Sequence, residues 1–186
     1  MGGDAAFGLH TLVLGGARSG KSAHALKLAE KRAGTPAKGP NRLFIATAAV
    51  RDEEMEQRVQ AHREERGPAW HTVEEEIHLA KALSENLDQF EVAVIDCLGM
   101  WVTNLLLNDH VDMEGEIQAL ETLLKTCHTP VILVSNEVGM GIVPENRLAR
   151  RFRDVLGSVN QRFALLSSTV IFMAAGIPLV LKDIQP

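Results

Sequence analysis

Gly15-Gly16-Ala17-Arg18-Ser19-Gly20-Lys21-Ser22 is a complete G-x-x-x-x-G-K-S string. The apolar run Thr11-Leu12-Val13-Leu14 stands directly before it, and the helix-compatible stretch Ala23–Arg32 directly after. A strand can deliver such a loop, and its glycines let the backbone fold around an anion. The amide N–H groups and the positive end of the following helix then face phosphate oxygens. Lys21 is placed to reach the β- and γ-phosphates, and the Ser22 hydroxyl to bind Mg²⁺. A chance glycine turn would not need these flanks. The segment reads as a nucleoside triphosphate site.

Outward from that loop, apolar runs alternate with helical patterns. Leu43–Ala46, Val92–Ile95 and Val131–Val134 are short strands, apolar on both faces, and Trp70–Val73 is a further short strand. Met55, Val59 and His62 form one stripe of a charged helix over Arg51–Arg66, which Pro68 stops. Helices are also expected over Ile77–Leu87, Met100–Leu107 and Met113–Lys125. Pro144 is placed to open a last helix that runs to about Leu165. Strands of this kind imply an α/β domain with a mostly parallel sheet covered on both sides. Thr169–Phe172 and Leu179–Leu181, joined by Gly176-Ile177-Pro178, are expected to pair antiparallel at one edge.

Length and composition bound the rest. The 186 residues suit one domain, 46% hydrophobic and 23% charged. Met1–Gly8 has neither the basic nor the apolar region of a signal peptide, and residues 1–9 are expected to be a disordered extension. Residues 10–186 are expected to form a single P-loop nucleotide-binding transferase domain. A formal charge of −5 argues against a general polyanion surface, so nucleic acid is not an expected partner. Phe163–Leu181 runs without a charge for about nineteen residues, near the length of a membrane span. Ser167-Ser168-Thr169 and Gly176-Ile177-Pro178 interrupt it, so no stable membrane insertion is expected. Cys97 and Cys127 lack metal-ligand spacing and suit a reducing, cytoplasmic compartment.

Four further places bear on chemistry. Asp96 ends a buried strand downstream of the phosphate loop, where a carboxylate orients Mg²⁺ or its waters, or caps the next helix. Asp96-Cys97-Leu98-Gly99 also matches the D-x-x-G of switch GTPases. Those proteins read guanine with Asn-Lys-x-Asp, however, and Ser135-Asn136-Glu137-Val138-Gly139 has neither the Lys nor the Asp. His62, followed by Arg63 and Arg66, could attack an α-phosphorus and hold a nucleotidyl group while arginines stabilise the oxygens. A solvated histidine among charges is the simpler reading of the spacing alone. Val138–Pro144 is an apolar, glycine-rich loop leading to Arg147, Arg150 and Arg151. It reads either as a surface for phosphate or a bulky acceptor, or as a basic helix face in solvent or at a subunit contact.

Together these motifs resemble a known family. They are Gly15–Ser22, Phe44-Ile45-Ala46-Thr47, Arg58-Val59-Gln60-Ala61-His62-Arg63, Asp96-Cys97-Leu98 and Trp101-Val102-Thr103-Asn104-Leu105-Leu106. The block Ser135–Arg147, Phe152-Arg153-Asp154 and Val159-Asn160-Gln161-Arg162 follow in order. The chain is similar, from Thr11 to Lys182, to the bifunctional adenosylcobinamide kinase/adenosylcobinamide-phosphate guanylyltransferases of bacterial cobalamin synthesis. The resemblance implies a RecA-like P-loop fold, a three-layer sandwich, and a homotrimer. It implies phosphorylation of a corrinoid hydroxyl by ATP or GTP, then transfer of GMP from GTP through a guanylylated histidine. That histidine would be His62, preceded here by Ala61. Nucleotide contacts would fall on the phosphate loop, Thr47, Arg63, Arg66, Glu74 and Asp96. Gly99 stands where relatives often carry a hydroxyl residue. The loop handles β/γ-phosphates whereas guanylyl transfer needs the α-phosphorus, so either GTP binds in two registers or the Arg51–Arg66 segment moves toward it, and the movement is the expectation here. A plain small-molecule kinase with an inert His62, and a nucleotide-switch module, are the alternatives.

Overall fold

The computed structural model describes residues 9–36, 39–48 and 66–184. Its strands are β1 (Thr11–Gly15), β2 (Arg42–Ala46), β3 (Trp70–Glu74), β4 (Val92–Asp96), β5 (Val131–Asn136), β6 (Thr169–Ala174) and β7 (Ile177–Asp183). The helices are α1 (Lys21–Arg32), α2 (Leu79–Asn86), α3 (Leu98–Leu106), α4 (Met113–Thr126) and α5 (Arg147–Leu166). Among the described residues the strands form one sheet in the order β3-β2-β4-β5-β1-β6-β7. Every pairing is parallel except the edge pair β6–β7, which is antiparallel. The expected α/β architecture and edge hairpin are both present.

The strand sequences explain why both faces are covered. Side chains alternate between faces, so a strand apolar at every position must be packed on both sides. Leu12, Leu43, Ile45, Ile95 and Leu133 join one cluster, with Leu83, Trp101, Leu120 and Phe163 from α2, α3, α4 and α5. Val13, Phe44, Val94, Ile132 and Val134 join the other, against α1. Ala25, Ala29 and Ala33 are that helix side's small buried residues, which lets its backbone lie close to the sheet. Trp101 is fully buried and keeps its indole N–H satisfied by donating to the Ile77 carbonyl at 2.7 Å.

Three local expectations change. The last helix begins at Arg147, not at Pro144, because the Asn146 side chain caps it by accepting the Ala149 N–H at 3.1 Å. The helix expected from Ile77 starts at Leu79. The Glu75 carboxylate takes the N–H groups of Ile77 and His78, both at 2.8 Å, and holds a turn there. The C-terminal reversal is made by Ala175 and Gly176, both with positive φ, so Pro178 lies inside β7. Proline is tolerated there because β7 is an edge strand. Most of the expected Arg51–Arg66 helix lies outside the described residues. No described helix is long and apolar enough to cross a membrane.

Candidate active site

The sheet register brings the carboxyl ends of five parallel strands together. Gly15 of β1 lies opposite Asn136 of β5, while Ala46 of β2 lies opposite Glu74 of β3 and Asp96 of β4. The crevice beyond such strand ends is where open α/β sheets bind ligands.

The phosphate loop fills the β1–α1 connection. Gly20 caps α1 in the left-handed region at φ 91°, and Arg18 is also left-handed at φ 53°. Gly15 is required by close approach: a Cβ there would lie 2.5 Å from the Met173 carbonyl oxygen and 2.7 Å from Ser19 Oγ. From the β6–β7 turn, the Gly176 N–H donates to Ser19 O at 3.0 Å and holds the loop from outside. Lys21 is buried and folds back to donate to the Gly16 carbonyl at 2.6 Å, along the curve of the loop. Desolvation lowers its pKa, opposed by the nearby Cys97 and Asp96. The Ser19 hydroxyl is buried and has no hydrogen-bond partner among the described residues. The Ser22 hydroxyl stands in the first turn of α1.

Opposite the loop, the Asp96–Cys97 turn is fixed from behind. The Thr47 hydroxyl donates to Cys97 O and accepts from Cys97 N, both at 2.7 Å. Its N–H donates to Asp96 O, and its carbonyl accepts from Asn104 at 2.9 Å. Thr47 is fully buried with its polar groups engaged, so its geometry positions the Asp96–Cys97 turn. The Cys97 sulfur accepts the Met100 N–H at 3.4 Å and points its own proton at Asn136 Oδ1, 3.6 Å away. Burial, then the adjacent Asp96 charge, pushes this thiol up to about 11.

Asn136 is held in turn by α5. Asn160 donates to the Asn136 carbonyl at 3.0 Å and accepts the Ser135 hydroxyl at 2.6 Å. Gly99 makes room for this arrangement, since a Cβ there would meet Asn136 Oδ1 at 2.8 Å. A hydroxyl residue at position 99 would displace the Asn136 side chain from where Cys97 holds it.

The structure therefore brings Gly15–Ser22, Thr47, Glu74 and Asp96 to one edge of the sheet. Glu74 is exposed at the end of β3. Arg66 is half-buried, its guanidinium carbon 3.8 Å from the Phe44 ring centroid and its Nη2 3.3 Å from Thr72 Oγ1. His62 and Arg63 lie outside the described residues. The supporting roles of Asn104, Asn136 and Asn160 were not legible beforehand. Their signal is an asparagine set among core residues, as with Asn104 between Val102 and Leu105, and Asn160 beside Val159 and Phe163.

No group of three or more His, Cys, Asp or Glu suited to a metal occurs among the described residues. The hydroxyl of Ser22 and the carboxylate of Asp96 are hard oxygen donors, however. They fit a Mg²⁺ that takes most of its ligands from phosphates and water.

A model of the family described as cobinamide kinase / cobinamide phosphate guanyltransferase matches residues 11–181. The bifunctional adenosylcobalamin biosynthesis protein CobU of Escherichia coli K12 is 40% identical, over 92% of this chain and 98% of that protein. CobU of Salmonella typhimurium LT2 is 41% identical over the same shares. The bifunctional adenosylcobalamin biosynthesis protein CobP of Pseudomonas aeruginosa PAO1 is 41% identical, over 94% of this chain and 98% of its own length. Among solved structures, the RadB recombinase crystal structure aligns with a TM-score of 0.49 and 16% identity, covering 91% of this chain and 76% of that one.

Proposed function

The chain belongs to the cobinamide kinase / cobinamide phosphate guanyltransferase family, and from that membership we propose a transferase with both activities. In the first reaction the aminopropanol hydroxyl of adenosylcobinamide attacks the γ-phosphorus of ATP or GTP, and the nucleoside diphosphate leaves. In the second, a His62 imidazole nitrogen attacks the α-phosphorus of GTP and expels pyrophosphate. The phosphate of adenosylcobinamide phosphate then displaces His62, forming adenosylcobinamide-GDP and restoring the free imidazole. The observation that supports the reading most is the convergence of Lys21 and Ser22, which follow β1, with Asp96 at the end of β4, on either side of β5 and beneath a backbone shaped for phosphates.

In this scheme the loop amides and Lys21 bind the β- and γ-phosphates and stabilise charge on the transferring group. Ser22 and Asp96 would hold Mg²⁺, which neutralises phosphate charge when bound. Thr47 and Asn104 keep the Asp96–Cys97 turn in place, while Arg63, Arg66 and Glu74 serve the nucleotide beyond its phosphates. Because His62 must meet an α-phosphorus, the Arg51–Arg66 segment moves toward the loop when GTP binds. A GTP-bound structure with that segment distant from the α-phosphorus would contradict this step.

The reading includes a cytoplasmic location, where ATP and GTP are supplied and the two free cysteines stay reduced. It also includes a homotrimer, supported by the exposed apolar edge formed by Ile177, Leu179, Val180, Leu181 and Ile184. Chromatography of corrinoid products tests the two activities together. With GTP and adenosylcobinamide the chain should form the phosphate and then the GDP derivative, and His62→Asn should stop at the phosphate. If wild type also stops at the phosphate, it is a plain kinase.

A further inference from the structure

The loop after β5 exposes large apolar side chains beside the phosphate loop. Val138, Met140, Ile142 and Val143 are 37%, 80%, 97% and 58% exposed within six residues. Both ends of this loop are tied down. At its start the Glu137 N–H donates to Gly15 O at 3.0 Å, which joins it to the phosphate loop itself. At its end Arg150 Nη1 donates to the carbonyls of Pro144, at 2.9 Å, and Glu145, at 2.6 Å. The apolar side chains are therefore presented by an anchored segment, not by a free tail.

Two hollows adjoin it and share Asn146 and Leu148. One, of about 260 Å³, is apolar and is lined by Leu106, Leu107 and Phe152 among others. The other, of about 610 Å³, is flanked by Arg147 and Arg151. Both arginines are exposed, and neither has an ion pair among the described residues.

We propose that this loop and the paired hollows are the corrinoid-binding surface. The apolar side chains and the smaller hollow receive the macrocycle, and Arg147 and Arg151 receive the phosphate that its side arm acquires. This inference rests on the kinase and guanylyltransferase reading above. A corrin ring is broad, with methyl groups set between the amide arms of its rim, while its reacting arm must reach the γ-phosphate. An apolar surface bonded directly to the phosphate loop meets both demands. Adjacent unpaired cations match the charge that appears on the arm after the first reaction, so the same surface retains the product as substrate for the second.

Steady-state kinetics on the full chain test the assignment. Wild-type turnover of adenosylcobinamide checks the underlying reading, and an inactive wild type would overturn both. On the active chain, Ile142→Glu is expected to raise the KM for adenosylcobinamide about tenfold or more, from loss of one buried apolar contact. The KM for GTP should stay within about twofold, and Ile142→Leu should restore corrinoid affinity. Arg151→Glu should raise the KM for the phosphorylated corrinoid more than for the unphosphorylated one. Ile142 is almost fully exposed, so its replacement should leave thermal unfolding unchanged; Met140→Glu provides an independent variant. The proposal is overturned if corrinoid KM is unaffected by both glutamates. It is equally overturned if the rise follows dissociation of the assembly in light scattering, because the loop would then be a contact between copies.

Discussion

Asn160→Ala tests how the crevice is supported. Asn160 is 7% exposed and is the side chain linking α5 to the end of β5. Its loss removes the acceptor of the fully buried Ser135 hydroxyl, at 2.6 Å, and the side-chain donor to Asn136 O, at 3.0 Å. A buried polar group left unpaired costs about 1–3 kcal/mol; with Ser135 fully buried and Asn136 only half-buried, at about 1 kcal/mol, a total of about 2–4 kcal/mol is expected. For a domain of this size that corresponds to a Tm lowered by about 5–15 °C. Thermal unfolding followed by circular dichroism reads this directly. Combining Ser135→Ala with Asn160→Ala removes both ends of one bond, and should recover about 1 kcal/mol relative to the sum of the single changes. Kinase turnover should also fall, because the Asn136 backbone beside Gly15 loses its tether. If Asn160→Ala unfolds within about 0.5 kcal/mol of wild type, or the pair is strictly additive, the network does not brace the site.

Lys21→Ala should reduce kinase kcat by about a hundredfold or more while leaving the unfolding transition cooperative, as loss of a group stabilising transferred charge does. His10 donates from Nε2 to Leu124 O at 2.7 Å and accepts the Val131 N–H on Nδ1 at 3.1 Å, so it is buried as neutral imidazole. Burial lowers its pKa below 6.5, against a smaller opposing effect of the Leu124 bond. The unfolded chain therefore takes the proton first. Stability present above pH 6.5 should decline as pH falls below it, and His10→Gln should flatten that limb in urea titrations. The Cys97 thiol, raised from 9.0 to about 11, has the opposite sign. Its contribution is complete below pH 9 and lost as pH rises through about 11, a loss that Cys97→Ser should diminish.

The sheet was legible because its evidence is local. Leu43–Ala46, Val92–Ile95 and Val131–Val134 are apolar at every position, and only a strand covered on both faces accommodates that pattern. The loop at Gly15–Ser22 carries its chemistry in consecutive residues. Boundaries were less legible because side chains decide them: Glu75 delays one helix and Asn146 starts another. The support of the site was not legible because it is assembled across the fold. Thr47 grips Cys97 from 50 residues away, and Asn160 reaches Asn136 across 24. Spacing along the chain carries no trace of such pairs, and nothing in the sequence around Thr47 tells that its hydroxyl lies between two backbone groups of Cys97.

The covalent step is tested most directly by peptide-mapped mass spectrometry of the chain after exposure to GTP and magnesium. One added GMP is expected, located on His62, that disappears when adenosylcobinamide phosphate is supplied. A chain that turns over both reactions with no adduct, or with the adduct on another residue, would contradict it.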